Sequence, residues 1–75
     1  MSIEEIRSFR NAQPFRPFTL LLRDGRLLRV ALPLRIALDP KGRSVAIFDG
    51  PHFNFVRLEE IRLASAEEST APSHS

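Results

Sequence analysis

The sequence predicts a mainly β domain of the α+β type. A short N-terminal helix precedes a bent five-stranded antiparallel sheet that curls into a small barrel. Three observations carry this. Turn signals at Asp24-Gly25, Asp39-Pro40-Lys41-Gly42 and Asp49-Gly50-Pro51-His52 punctuate the chain. Short segments rich in Leu, Ile, Val and Phe lie between them. The first such pair is apolar on both faces, as expected of a sheet that curls on itself rather than one with a fully wet side.

Ser2 to about Asn11 reads as the helix. Ser2 is a good N-cap and Glu5 lies at capping-box spacing. Glu4 and Glu5 suit the positive end of the helix dipole, and Arg7 and Arg10 the negative end. Ile3, Ile6 and Phe9 form a narrow apolar stripe. A helix this short is marginal alone, so the stripe must dock. Pro14 terminates it, and Pro14-Phe15-Arg16-Pro17-Phe18 forms an extended entry to the sheet in which the two Phe clamp the connection.

Asp24-Gly25 predicts a two-residue hairpin loop between Thr19–Arg23 and Arg26–Val30. That register pairs Leu22 with Leu27, Leu21 with Leu28, Leu20 with Arg29 and Thr19 with Val30. Pro33-Leu34 breaks the second strand, and Arg35–Leu38 begins a third. Asp39–Gly42 fits a type I turn, with Pro in second place and Gly at the end. Arg43–Phe48 returns, so Ile36 and Leu38 share a face with residues such as Val45 and Ile47. Phe53–Arg57 follows as a fifth strand or an extension of the fourth. Leu58-Glu59-Glu60 reads as a tight turn and Ile61–Leu63 as a last short strand that closes the barrel. Residues 1–64 thus form one domain, and Ser65 to Ser75, rich in Ser, Ala, Glu, Thr and Pro, reads as a disordered tail.

Composition argues against an enzyme. At 75 residues with no Cys, the chain has no thiolate nucleophile and no thiolate zinc site. Its two histidines, His52 and His74, stand alone. Its three glycines are isolated, so no phosphate-cradling loop exists. Glu59 and Glu60 are adjacent in a turn, where side chains diverge, and make a poor acid/base pair. No catalytic, cofactor-binding or metal-binding residue is assigned, and no small-molecule substrate is evident. No apolar run reaches membrane-spanning length, and the start lacks the character of a signal peptide. The default expectation is a cytoplasmic protein without a membrane partner.

Charge supplies the remaining candidate chemistry. There are 11 basic and 9 acidic residues, and ten of the basic ones are Arg. Basic residues dominate between Arg7 and Arg57. Arg23 and Arg26 flank the first hairpin tip, while Lys41 and Arg43 lie at the second. If both tips point the same way, these four form a basic rim suited to phosphate backbones, extended by Arg16, Arg29 and Arg35. Phe53 and Phe55 could add stacking platforms, although six Phe in a small domain are mostly needed for its core. The leading expectation is a non-enzymatic protein-interaction or oligomerisation module. The alternative is an RNA or single-stranded DNA binder that uses the Arg-rich rim. Pairing of the Arg residues with Glu4, Glu5, Glu59 and Glu60 would favour the former, and their clustering on one exposed face the latter.

Two resemblances bear on this. Pro14-Phe15-Arg16-Pro17-Phe18-Thr19, Asp24-Gly25-Arg26 and Pro40-Lys41-Gly42-Arg43 resemble a family of short bacterial hypothetical proteins, over roughly Ile3 to Leu63. That resemblance brings no functional residues with it. The order of a helix, a hairpin with Asp24-Gly25-Arg26 at its tip, a second hairpin and a tight turn before a last strand is similar to Sm-like (Hfq-type) proteins. It implies a small Sm/SH3-like barrel, ring assembly and RNA binding. The Sm pattern places a bend-permitting Gly in its second strand, where this chain has Val30 or a neighbour. Arg57-Leu58-Glu59 stands where the pattern has its RNA-contacting segment. The resemblance therefore supports a barrel more than it supports RNA binding.

Overall fold

The computed structural model describes residues 1–67. Helix α1 spans Ile3–Arg10, and six strands follow: β1 (Phe18–Leu22), β2 (Leu27–Val30), β3 (Ile36–Leu38), β4 (Ser44–Asp49), β5 (His52–Arg57) and β6 (Ile61–Ala66). They form two antiparallel three-stranded sheets, in the orders β2-β1-β6 and β3-β4-β5. The mainly β class with one short helix holds. The single five-stranded sheet and the closed barrel do not. Two 3-10 turns divide the strands. Pro33–Arg35 separates β2 from β3, and Leu58–Glu60 separates β5 from β6. Pro33 has no N–H to offer a ladder, so the strand that would have run through both sheets is cut there.

The first hairpin corrects the predicted register. Leu21 faces Leu27, Leu20 faces Leu28, Thr19 faces Arg29 and Phe18 faces Val30. The Leu22 N–H donates to the Arg26 carbonyl at 2.9 Å, and the Gly25 N–H donates to the Leu22 carbonyl at 3.0 Å. The loop is therefore three residues, Arg23-Asp24-Gly25, and only Gly25 takes a positive φ, of 95°. The physical reason is burial. A one-residue slip moves a strand's whole side-chain set across the sheet. The observed register gathers Phe18, Leu20, Leu22 and Val30 inside and leaves Thr19 and Arg29 out.

The second turn forms as expected. The Gly42 N–H donates to the Asp39 carbonyl at 2.8 Å, and Ile36 and Leu38 pair with Ile47 and Val45. The last strand runs three residues beyond Leu63 to Ala66, and the Glu67 N–H donates to the Pro17 carbonyl at 2.8 Å. Ser65 and Ala66 thus belong to a strand, because β1 offers them ladder partners in Thr19 and Phe18. The rest of the expected tail, 68–75, lies outside the described residues.

The core lies between the sheets. The first contributes Phe18, Leu20, Leu22, Val30 and Ile61, and the second Ile36, Val45, Ile47 and Val56. Leu58 of the second 3-10 turn joins them. The helix closes one side. Ser2 and Glu5 make both hydrogen bonds of the capping box, while Ile3 and Ile6 are buried. Phe9 and Phe15 both pack on Phe18, with ring centroids 5.2 and 6.1 Å away. The amphipathic stripe and the Phe clamp therefore act as the sequence predicts.

Candidate functional site

Arg23, Arg26, Lys41 and Arg43 are all exposed. The structure ties both hairpins to the 3-10 turn Leu58–Glu60. The Arg23 N–H donates to the Glu60 carbonyl at 2.9 Å and its Nε to the Glu59 carbonyl at 2.8 Å. From the other hairpin, the Arg43 carbonyl accepts the Leu58 N–H at 2.9 Å. Arg23 and Arg43 therefore flank the same acidic turn. Arg26 is turned back on its own loop, with its Nε 2.9 Å from Asp24 Oδ2. Hydrogen bonds from Arg26, the backbone N–H foremost, hold the Asp24 carboxyl below its ordinary value. Among the described residues, Lys41 and Arg43 enter no ion pair.

The residues expected to extend the rim are dispersed. Arg29 lies on the outer face of the first sheet, bonded to Glu67, with Nη2 3.1 Å from Oε1. That bond raises the Arg29 pKa and lowers that of Glu67. Arg35 lines a cleft of about 590 Å³ between β2 and the end of β4, together with Leu27, Leu32, Phe48, Asp49 and Asn54. This cleft occupies the gap left where β2 and β4 share no ladder. Arg16 borders a different hollow beside Phe9 and Pro14. Other pairs join Arg7 to Glu4 and Arg57 to Glu59, each at 3.9 Å. Among the described residues, four of the eleven basic side chains, Arg7, Arg26, Arg29 and Arg57, are thus ion-paired.

A surface that sequence reasoning undervalued is the outer face of the second sheet. Ala37, Ala46 and Phe55 stand in one row across it, with Phe48 and Phe53 in a neighbouring row. Phe53 is 63% exposed and Phe55 66%, and the rings of Phe48 and Phe53 lie 6.2 Å apart. Phe18 is fully buried with Phe9 and Phe15 packed against it, while Phe48, Phe53 and Phe55 are exposed, so half of the six Phe serve the core rather than most. Core space explains this. Val45, Ile47 and Val56 already fill the inner face, and the strict alternation of a strand sends Phe48, Phe53 and Phe55 outward. The Phe53-Asn54-Phe55-Val56 alternation was visible, but nothing in it says which parity faces inward.

Among the described residues, no group of three or more His, Cys, Asp or Glu could hold a metal ion. His52 is exposed and sits opposite Asp49 at the β4–β5 turn. No helix among the described residues is long and apolar enough to cross a membrane. Comparison with protein-family models, curated proteins and solved structures finds no match to this chain.

Proposed function

We propose that this protein is a non-enzymatic association module that works through the outer face of its second sheet. The observation that supports this is the exposure of Phe53 and Phe55 on an edge strand. Isolated exposed apolar residues are ordinary, but a contiguous aromatic face on a small domain marks an interaction surface. The ion pairing of Arg26, Arg29 and Arg57 with local carboxylates supports the same reading. It leaves fewer free cations to meet a phosphate chain.

The nucleic-acid alternative draws on the same two rings. Exposed aromatics on a sheet can stack bases, and Arg57 shares their face of the strand. One experiment separates the two readings. Size-exclusion chromatography with light scattering is run on the wild type and on Phe53→Ser/Phe55→Ser, with detection by refractive index and at 260 nm. The association reading expects a wild-type mass above 8.5 kDa that falls to the monomer in the variant, with unchanged circular dichroism. A monomer carrying a 260 nm signal that high salt removes would move the assignment to nucleic acid.

A further inference from the structure

The β5 edge carries a more specific message, which rests on the association reading. The Leu58 N–H donates to the Arg43 carbonyl, one step beyond the Ser44–Arg57 pair that ends the β4–β5 register. Hydrogen-bonded and non-bonded pairs alternate along an antiparallel ladder. Val56, Asn54 and His52 therefore turn their backbone groups toward β4, while Arg57, Phe55 and Phe53 turn theirs away. The outward Arg57 N–H is already taken, donating to Glu60 Oε1 at 2.9 Å. Two residues before Phe53 stands Pro51, which has no N–H. The edge thus offers two outward N–H groups, those of Phe53 and Phe55, bounded on each side by a position that has none to give. The centre of that window is Asn54.

A window with this symmetry is complementary to itself. We propose that β5 pairs antiparallel with β5 of a second copy about a twofold axis through Asn54. Phe53 then faces Phe55 of the other copy, and Phe55 faces its Phe53. Both free N–H groups and both carbonyls of each copy are satisfied in four hydrogen bonds. The two sheets join into one of six strands, with four exposed Phe side by side at its middle. Such cross-strand aromatic pairs are among the favourable ones. The contact is isologous and closes at two copies. It also explains why β5 lacks ordinary edge protection. It is six residues long, with no internal Pro, no bulge in its pairing with β4 and no inward-pointing charge between Phe53 and Val56. The ladder and four rings make a contact at the small end of specific interfaces, so the dimer should form in a concentration-dependent manner.

The chain has no cysteine, so single substitutions report cleanly. Asn54→Cys keeps both Phe and places the two sulfurs at the axis, across a non-hydrogen-bonded pair whose Cα atoms lie about 4.5 Å apart. Under mild oxidation it should give a disulfide-linked dimer at near-complete yield. Phe53→Cys alone should not, because it faces Phe55 of the other copy. An equimolar mixture of Phe53→Cys and Phe55→Cys should give the mixed dimer in preference to either homodimer. This second arm holds even if Asn54→Cys folds poorly. Light scattering on the wild type should show a rise toward twice 8.5 kDa with concentration. A wild type that stays monomeric at millimolar concentration overturns both this pairing and the association reading, as does a monomer that binds nucleic acid. A wild type that associates while neither cysteine arm cross-links, or one that passes beyond two copies, overturns the β5 pairing alone.

Discussion

The two sheets have the same strand number and share one core, yet their outer faces differ. On the first, Leu27, Leu21 and Leu63 form one row, and Arg29, Thr19 and Ser65 form the next. The Arg29–Glu67 pair links an edge strand to the chain just beyond the other edge, across that polar row. On the second sheet the corresponding area is Ala and Phe. The inside of each sheet obeys the same rule, with buried aliphatics at alternate positions. Burial therefore sets the fold, while the face turned outward is free to differ: an exposed Leu row beside an ion-paired polar row on the first sheet, exposed aromatic rings on the second.

That comparison assumes that the core unites the sheets. The largest expected effect tests this. Leu20 is fully buried in the first sheet, and Leu20→Ala should cost about 2–5 kcal/mol. Because the core is common, thermal melting followed by amide signals from β4 and β5 should shift together with signals from β1 and β6. Separate transitions would mean that the sheets are independent units.

A smaller effect compares the hairpin tips. Gly25 and Gly42 both have positive φ, so a side chain at either should cost about 1–2 kcal/mol. A Cβ at Gly25 meets open space, whereas one at Gly42 would lie 3.2 Å from Ile3 Cγ2. Gly42→Ala should therefore lower the melting temperature more than Gly25→Ala. Equal losses would show that the helix does not press on the second tip.

The smallest effect concerns the outer face of the first sheet. The Glu67 pKa is lowered by its bond to Arg29, so the folded state favours the carboxylate. The pair's contribution is complete above the ordinary Glu range and is lost as pH falls through the lowered Glu67 value. Glu67→Gln should remove a small part of the stability at pH 7 and flatten the acid side of the stability profile. An unchanged profile would mean that the pair is merely solvated, as exposed pairs often are.

Much of this was legible in the residues. Ser2 and Glu5 announced the helix start, and Asp39-Pro40-Lys41-Gly42 its turn, because each is a local hydrogen-bond pattern that needs no tertiary help. The first register was not legible. Asp24-Gly25 serves a two-residue or a three-residue loop, and the Leu20-Leu21-Leu22 run puts apolar residues on both parities. Only the burial of Phe18 decides between them. The break at Pro33 was visible, but its consequence, two sheets instead of one, depends on the absence of a ladder between β2 and β4. The basic tips were correctly placed in the chain, yet their partners Glu59, Glu60 and Asp24 could not be ranked without the fold. Phe53 and Phe55 are legible as candidate stacking platforms, yet the residues alone assign Phe mostly to the core, because nothing local says which side of β5 is in.

The second sheet is a meander of neighbours, whereas the first is complete only when β6 returns to β1 and Ala66 reaches Phe18. Contacts between distant parts of a chain form late, since the intervening loop must first be closed. On topology alone, the aromatic hairpin is expected to form before the first sheet has closed. A chain emerging slowly, or crowded among its copies, would present that edge to a neighbour while its own last strand is still searching for its place.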